Sequence, residues 1–209
     1  MEELNTQSIF WSYQDYPFTQ FAHDLLINAK TQESLFHLQH DSGFNINVIL
    51  YALWLAKSRH GRLTKRNVNL LQMTIYLWHQ RIVVELKYTH ALLENDLTDI
   101  AINIKRQLQE EIERANLIEQ RMLVESRPKM KILKRDAKQQ LSDACASLIS
   151  YCELKNDSLI IRDKNALIKL LCHVFSELPE SDICHQINTV FDHTKNSASN
   201  SVQLMWEEF

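Results

Sequence analysis

Glycine and proline are scarce in this sequence. Its 209 residues include two glycines, Gly43 and Gly61, and three prolines, whereas average usage would give about fifteen glycines in a chain of this length. Tight hairpins and sheet corners need residues that tolerate positive φ, and glycine adopts that conformation most readily. Because long helices need few such residues, the composition predicts an all-α fold.

Long apolar runs and a strong charge bias are also absent. The longest apolar run, residues 48–56, is far shorter than the roughly 18 residues of a membrane-spanning helix. The 23 Lys and Arg against 26 Asp and Glu give a net charge of -3, so the whole chain has no electrostatic preference for nucleic acid or anionic membranes. The sequence begins MEELN, without the apolar stretch of a secretory signal. We therefore expect a cytoplasmic protein with no membrane span and with reduced cysteines.

Breaks in the hydrophobic pattern divide the chain into three regions. We expect a helical bundle over residues 8–95, because residues 46–58 are apolar on nearly every side, as in a helix at the centre of a bundle. A narrow stripe of apolar residues at steps of three and four predicts one long helix over 97–126, and a second stripe follows it. A short link favours antiparallel packing of consecutive helices. The sequence thus predicts a helical bundle, a long antiparallel helical hairpin over 97–153 and a small helical C-terminal region over 159–209.

Four short motifs occur in order in the first part of the chain: Phe10-Trp11-Ser12-Tyr13, Leu38-Gln39-x-Asp41-x-Gly43-x-Asn45-x-Asn47, Leu53-Trp54-Leu55-Ala56 and Trp78-x4-Val83-Val84. By these motifs, residues 8–125 resemble a family of small all-helical proteins, found mainly in gammaproteobacteria, whose function is unknown. The resemblance implies a helical fold and no particular activity. The chain departs from the family pattern at Glu85-Leu86-Lys87, where the family usually has Pro-Leu-Arg, and at Asn45, where it usually has Asp.

One candidate metal site lies in the first part of the chain. Glu33, His37 and His40 stand at positions i, i+4 and i+7, which share one face of a helix, and imidazole with carboxylate suits zinc or iron. No His-Glu-x-x-His or paired Glu-x-x-His pattern accompanies them. The alternative interpretation is an exposed polar face.

A second candidate metal site consists of two Cys-His pairs, Cys172-His173 and Cys184-His185, twelve residues apart. Thiolates and imidazoles are the ligands of structural zinc, but zinc ribbons and fingers have closely spaced cysteine pairs, which this chain lacks. Cysteine is also an ordinary small core residue, and this is the favoured interpretation for Cys145 and Cys152. The sequence therefore assigns no metal, and the histidines and cysteines remain candidates only.

Motifs typical of enzymes are missing. No Gly-x-Ser-x-Gly nucleophile turn occurs, and a chain with two glycines cannot form a glycine-rich phosphate loop or dinucleotide fingerprint. The sequence consequently assigns no catalytic residue and no cofactor, and it argues against an enzyme.

Basic residues are concentrated around Pro128: Arg127, Lys129, Lys131, Lys134, Arg135 and Lys138. At the tip of a helical hairpin, such a cluster would suit contact with RNA phosphates or an acidic protein surface. No aromatic residue lies within it to stack on bases, and the alternative is a solvated tip. A second basic cluster brackets Gly61, comprising Arg59, Arg62, Lys65 and Arg66.

The leading functional hypothesis is a non-enzymatic module for protein–protein interaction or self-association. The apolar stripe of 97–126, flanked by charge, suits pairing with a second helix. Two alternatives stay open: an RNA- or ribosome-associated factor that uses the basic cluster, and a metal-dependent or other enzyme that uses the histidines or cysteines.

Overall fold

The structure is a computed structural model that describes residues 16–126, 131–155 and 160–191. These residues form helices and connecting loops without any strand, which confirms the all-α prediction. The helices are α1 (Pro17–Ile27), α2 (Ala29–Phe36), α3 (Ile46–Lys57), α4 (Lys65–Trp78), α5 (Val84–Leu92), α6 (Asp99–Glu125), α7 (Ala137–Leu154) and α8 (Ile161–Val174). Two π-helical segments, His37–Asp41 and His79–Val83, follow α2 and α4, and residues 180–191 are also helical.

Helix α3 lies at the centre of the fold. All of its residues from Ile46 to Ala56 are buried, because α1, α6, α7 and α8 all pack on it. Asn45 starts the helix as its N-cap, with a side chain that accepts a hydrogen bond from the Asn47 N–H at 2.9 Å. Arg59 and Gly61 end it with φ values of 63° and 80°. The prediction of a central buried helix is confirmed.

A long antiparallel hairpin runs beside this centre. Helix α4, the π-helical segment His79–Val83 and α5 form one continuous rod, and the 27-residue α6 returns along it after a short loop. The Trp78 indole N–H donates to the Ala115 carbonyl at 2.9 Å. This hydrogen bond fixes the alignment of α6 with the α4–α5 rod. Thr98 starts α6 as an N-cap.

The helix that pairs with α6 in this hairpin is not the one that the sequence predicts. The stripe on 97–126 was expected to pack against residues 129–152, but α6 packs against the α4–α5 rod and α3, whereas α7 packs mainly on α3 and α4. Before α7 begins, the Leu133 N–H donates to the Arg59 carbonyl at 2.8 Å. This contact places the chain against the end of α3, the helix on which α7 then packs.

One hydrophobic core joins the described parts of the chain. A single cluster of buried side chains extends from Phe18 on α1 to Phe191 at the end of the described residues. Phe18 contacts both Tyr51 and Trp54 of α3, with ring centroids 5.0 and 5.5 Å apart. The regions predicted from the sequence therefore share their core rather than forming separate ones.

Replacing Gly61 by alanine should destabilise the fold. At φ +80°, a side chain is strained, and a Cβ would lie 2.9 Å from Leu133 Cδ1. We expect Gly61→Ala to lower the free energy of unfolding by about 1–2 kcal/mol, measured by urea denaturation. Gly43→Ala is the matched control, because its φ is +64° but its nearest neighbour, Lys155 Nζ, is 3.6 Å away. A loss at Gly61 no larger than at Gly43 would show that the contact with Leu133 is unimportant.

Candidate functional site

The most elaborate polar cluster of the described residues surrounds Glu119 of α6, whose side chain is 0% exposed. Its carboxylate accepts hydrogen bonds from the side-chain amides of Asn45 and Asn47 at 2.8 and 3.0 Å. It also bonds to His79 Nδ1, at 2.8 Å. A buried carboxylate is tolerated only when hydrogen bonds satisfy it. This cluster therefore fastens α6 to the start of α3 and to the π-helical segment after α4.

The carboxylate of Glu119 also sets the orientation of the neighbouring amides. Since an ionised carboxylate only accepts hydrogen bonds, Asn47 turns its NH₂ group to Glu119, and its Oδ1 faces Gln120. The Gln120 NH₂ group then donates to Asn47 Oδ1, at 3.0 Å. This arrangement leaves Gln120 Oε1 buried and without a hydrogen-bond partner in the described structure.

A cavity of about 280 Å³ lies beside this cluster, between α1, α3, α5 and α6. Asn47 and Gln120 line it together with Lys87 of α5. Burial lowers the pKa of Lys87, and the negative charge of Glu119 opposes this shift. The cavity thus combines a partly buried cation with a buried acceptor.

Sequence reasoning missed Glu119, although the helical pattern contains a signal for it. The predicted stripe of α6 continued from Ala115 to Ile118, but Ile118 is exposed and the buried positions continue at Glu119 and Leu123. Steps of four from Ala115 would have put a glutamate at a core position. A charged residue at such a position indicates a buried polar site.

A second polar cluster joins the π-helical segment after α2 to α8. His37 is buried, with Nδ1 2.8 Å from Asp41 Oδ2 and Nε2 2.8 Å from Asp163 Oδ1. The Ser42 hydroxyl also donates to Asp163. The hydrogen bond from His37 is the main cause that lowers the pKa of Asp41. Ser42 Oγ also lies 3.4 Å from His37 Nε2. Because a carboxylate accepts at each ring nitrogen, neither nitrogen is left as the free acceptor that a nucleophilic serine requires.

The residues of the first candidate metal site point to different neighbours. His37 contacts Asp41 and Asp163, the His40 ring stacks on Phe36 with centroids 4.3 Å apart, and Glu33 pairs with Lys169 at 3.4 Å. Across residues 16–126, 131–155 and 160–191, no group of three or more His, Cys, Asp or Glu side chains is arranged to hold a metal ion. Glu33, His37 and His40 therefore remain candidates only, and their separate contacts do not favour a shared metal ion.

The two Cys-His pairs lie on neighbouring segments: Cys172 and His173 on α8, and Cys184 and His185 in the helical residues 180–191. All four cysteines of the chain are free thiols.

Cys145 and Cys152 are buried in α7. Burial raises the pKa of each of these two thiols to about 12. Cys145 and Cys152 are therefore core residues with little thiolate at neutral pH.

The described part of the basic segment before α7 begins next to the end of α3. Arg127 and Lys129 fall outside the described residues. The backbone at 131–133 contacts the loop after α3, since His60 Nδ1 lies 3.4 Å from the Lys131 carbonyl and Leu133 bonds to Arg59. Two described members of the cluster form ion pairs: Arg135 with Asp143 and Lys138 with Asp182.

Comparison with known proteins gives a family and no activity. The family model described as "Protein of unknown function (DUF2390)" matches residues 18–127, just over half of the chain. No curated protein and no solved structure matches the chain. The resemblance to a family of unknown function is thus confirmed over residues 18–127. No helix in the described segments has the length and apolar character needed to cross a membrane.

Replacing Glu119 by glutamine should destabilise the protein. One carboxylate oxygen would become an NH₂ group, so His79 would have to change its tautomer to accept from it. The bonds from Asn45 and Asn47 would also lose the negative charge that strengthens them. We expect Glu119→Gln to lower the free energy of unfolding by about 2–4 kcal/mol, measured by urea denaturation. Glu111→Gln, at an exposed ion pair of the same helix, should change it by less than about 1 kcal/mol. If the two variants lose the same free energy of unfolding, the buried carboxylate does not stabilise the fold as proposed.

The four cysteines should differ in reactivity toward a thiol reagent. Because burial raises the pKa of Cys145 and Cys152, we expect a thiol-reactive dye at neutral pH to label Cys184 and Cys172 first. Cys145 and Cys152 should react only after denaturation. Peptide mass spectrometry after brief labelling measures the order, and rapid labelling of either α7 cysteine in the native protein would contradict it.

Proposed function

The chain belongs to this family of proteins of unknown function, and we propose that it is a non-enzymatic interaction module that pairs with a second copy of itself. The surface that supports this proposal is the outer face of the α4–α5 rod. We define it by six large apolar residues, each 38–68% exposed: Leu70, Met73, Leu77, Val84, Tyr88 and Leu92.

Helix α4 is apolar on two opposite sides. Its inner side, with Val68, Leu71 and Ile75, is buried in the fold. At 100° per residue, Leu70, Met73 and Leu77 lie on the other side. Beyond the π-helical segment, α5 carries the exposed residues Val84, Tyr88 and Leu92 at steps of four. Exposed apolar stripes of this extent are typical of interaction surfaces.

The spacing of the outer face favours a second copy of this chain as its partner. Leu70 and Leu92 each lie eleven residues from Arg81. Met73 and Tyr88 are eight and seven residues from it, and Leu77 and Val84 are four and three residues from it. A two-fold axis near Arg81 would therefore place each apolar side chain opposite another in an antiparallel pair. Such self-complementarity is what a two-fold symmetric interface requires.

The charges at the two ends of the rod fit the same arrangement. Arg66 is exposed near the start of α4, and Glu94 and Asp96 are exposed just after α5. In the antiparallel pair, Arg66 of each copy would face the acidic end of the other. Complementary charges of this kind favour one register over the others.

The area of the outer face is close to that of a stable interface. Its six side chains supply on the order of 600 Å² of apolar surface, against about 800 Å² per partner in an interface of standard size. Leu97 and Ile100, which are exposed at the start of α6, adjoin the end of α5 in the chain and can contribute the remainder.

Self-association can be tested by size-exclusion chromatography with light scattering. We expect the purified chain to have twice the 24.6 kDa mass of one copy, and Leu77→Glu to reduce it to one copy, because a charge would be buried in the apolar face. Ile161→Glu is the matched control, since Ile161 is 80% exposed but lies on α8, away from the outer face. A monomeric wild-type chain at micromolar concentration would refute the proposal, as would a dimer that Leu77→Glu leaves intact.

Charge reversal tests the antiparallel register. Arg66→Glu and Glu94→Arg should each shift the equilibrium toward monomers, because each places like charges opposite one another. The double variant should restore the dimer. If the two single variants weaken association and the double variant weakens it further, the ends of the rods do not face each other as proposed.

RNA binding is a second candidate function, supported by the meeting of the two basic clusters at the end of α3. Arg59 and Arg62 are exposed there, as are Lys131 and Lys134, and within the described residues none of these four side chains forms an ion pair. Phosphate contacts of this kind make binding sensitive to salt. We expect labelled single-stranded RNA to bind weakly, and Lys131→Glu with Lys134→Glu to remove this binding. The control with the same change of charge is Lys30→Glu with Lys164→Glu, and equal losses in both pairs would reject a localised site.

A further inference from the structure

We propose that Cys172 and Cys184 form a reversible disulfide bond within one chain when a small-molecule disulfide such as oxidised glutathione is present. The bond would link the end of α8 to the last described helix, residues 180–191. Neither cysteine belongs to the outer face of the α4–α5 rod, so the bond is independent of the self-association proposed above.

The two cysteines lie on either side of one tight connection. Residues 175–179 join α8 to the helix 180–191, and a connection this short favours antiparallel packing of the two helices. Cys172 is two residues before the end of α8, and Cys184 is four residues after the start of the next helix. Both therefore lie within about one helical turn of the connection. Antiparallel packing brings them to nearly the same level, one on each helix.

Both cysteines lie at the edge of the shared core. Leu171 and Ile183, which directly precede them, are 0% exposed, so each cysteine is turned about 100° away from a core position. Each of the two thiols is half-buried, in contrast to the buried thiols of Cys145 and Cys152. A small reagent can therefore reach this pair while the protein remains folded.

The electrostatic surroundings of Cys172 agree with this arrangement. Burial raises the pKa of Cys172, and the negative charges of Glu180 and Cys184 raise it further. Because the interaction between two charges falls off with distance, this effect means that the thiol of Cys184 is a close neighbour of Cys172. The two half-buried thiols thus face a common region beside the connection.

The reaction consists of two successive thiol–disulfide exchanges. The thiolate of Cys184 attacks one sulfur of oxidised glutathione, which forms a mixed disulfide and releases one glutathione thiolate. Cys172 acts second, because burial and neighbouring charge keep its thiol protonated. Once Cys184 is in the mixed disulfide it carries no charge, so Cys172 can lose its proton more easily and attack the Cys184 sulfur. The second glutathione thiolate then leaves. Overall, two protein thiols are oxidised to a disulfide, and one glutathione disulfide is reduced to two thiols that take up the two protons.

Treatment of the reduced full chain with oxidised glutathione at neutral pH tests the proposal. We expect the intact mass to fall by two hydrogen atoms per chain and to return to its first value after reduction with dithiothreitol. A protease that cleaves after glutamate separates the two cysteines, because Glu177 and Glu180 lie between them. Mass spectrometry of the unreduced digest should then find one pair of peptides joined through Cys172 and Cys184. The proposal is wrong if no disulfide forms, if glutathione stays attached to both cysteines, or if the bond joins two chains or involves another cysteine.

Serine variants connect the loss of mass to this pair. Cys172→Ser and Cys184→Ser should each leave a single accessible cysteine, so the chain should gain one glutathione and keep it. Cys145→Ala is the matched control, because it removes a thiol that lies elsewhere, in α7, and it should still lose two hydrogen atoms. Circular dichroism establishes that each variant is folded. A folded serine variant that still loses two hydrogen atoms, or a folded Cys145→Ala that does not, would refute the pairing.

Discussion

The hydrogen bonds to the Glu119 carboxylate join the parts of the fold that the hydrophobic core alone would not align. Three segments meet there: the start of α3, the π-helical segment after α4 and the last third of α6. Apolar packing has no strong directional preference, so helices that pack only through leucines can slide or rotate with little cost. A buried acceptor that requires particular donors removes this freedom. The same carboxylate orients Asn47 and Gln120, and through them it determines the polarity of the neighbouring cavity.

The π-helical segment His79–Val83 connects this cluster to the outer face of the rod. A π-helical turn contains more residues than an α-helical turn, so it changes which side chains face inward after α4. His79 reaches Glu119 at one end of the segment, and Val83 is buried at the other end. Leu77, before the segment, and Val84, after it, are both exposed. The segment thus lies between an internal polar contact and exposed apolar side chains on either side of it.

The sequence predicts the fold class and the central helix well, because the shortage of glycine and the apolar run of α3 are local properties. The partner of α6 could not be predicted in the same way, since it depends on contacts between residues that are far apart in the chain, such as Trp78 and Ala115. The polar clusters were missed for a related reason. His37 was weighed with Glu33 and His40 on its own helix, yet one of its two carboxylate partners is Asp163 on α8. Spacing along one helix reveals a shared face, but it does not reveal which distant residue will meet that face.

The covering of α3 has a consequence for biosynthesis. Helices α7 and α8, which shield one side of α3, come about 90 residues or more after it begins, and a ribosome adding about 5–20 residues per second needs several seconds to make that length. During this interval, the most apolar helix of the protein has emerged while part of its surface lacks its native neighbours. The nascent chain therefore passes through a stage in which a chaperone can recognise the exposed apolar surface of α3. Packing of α7 and α8 then covers this surface.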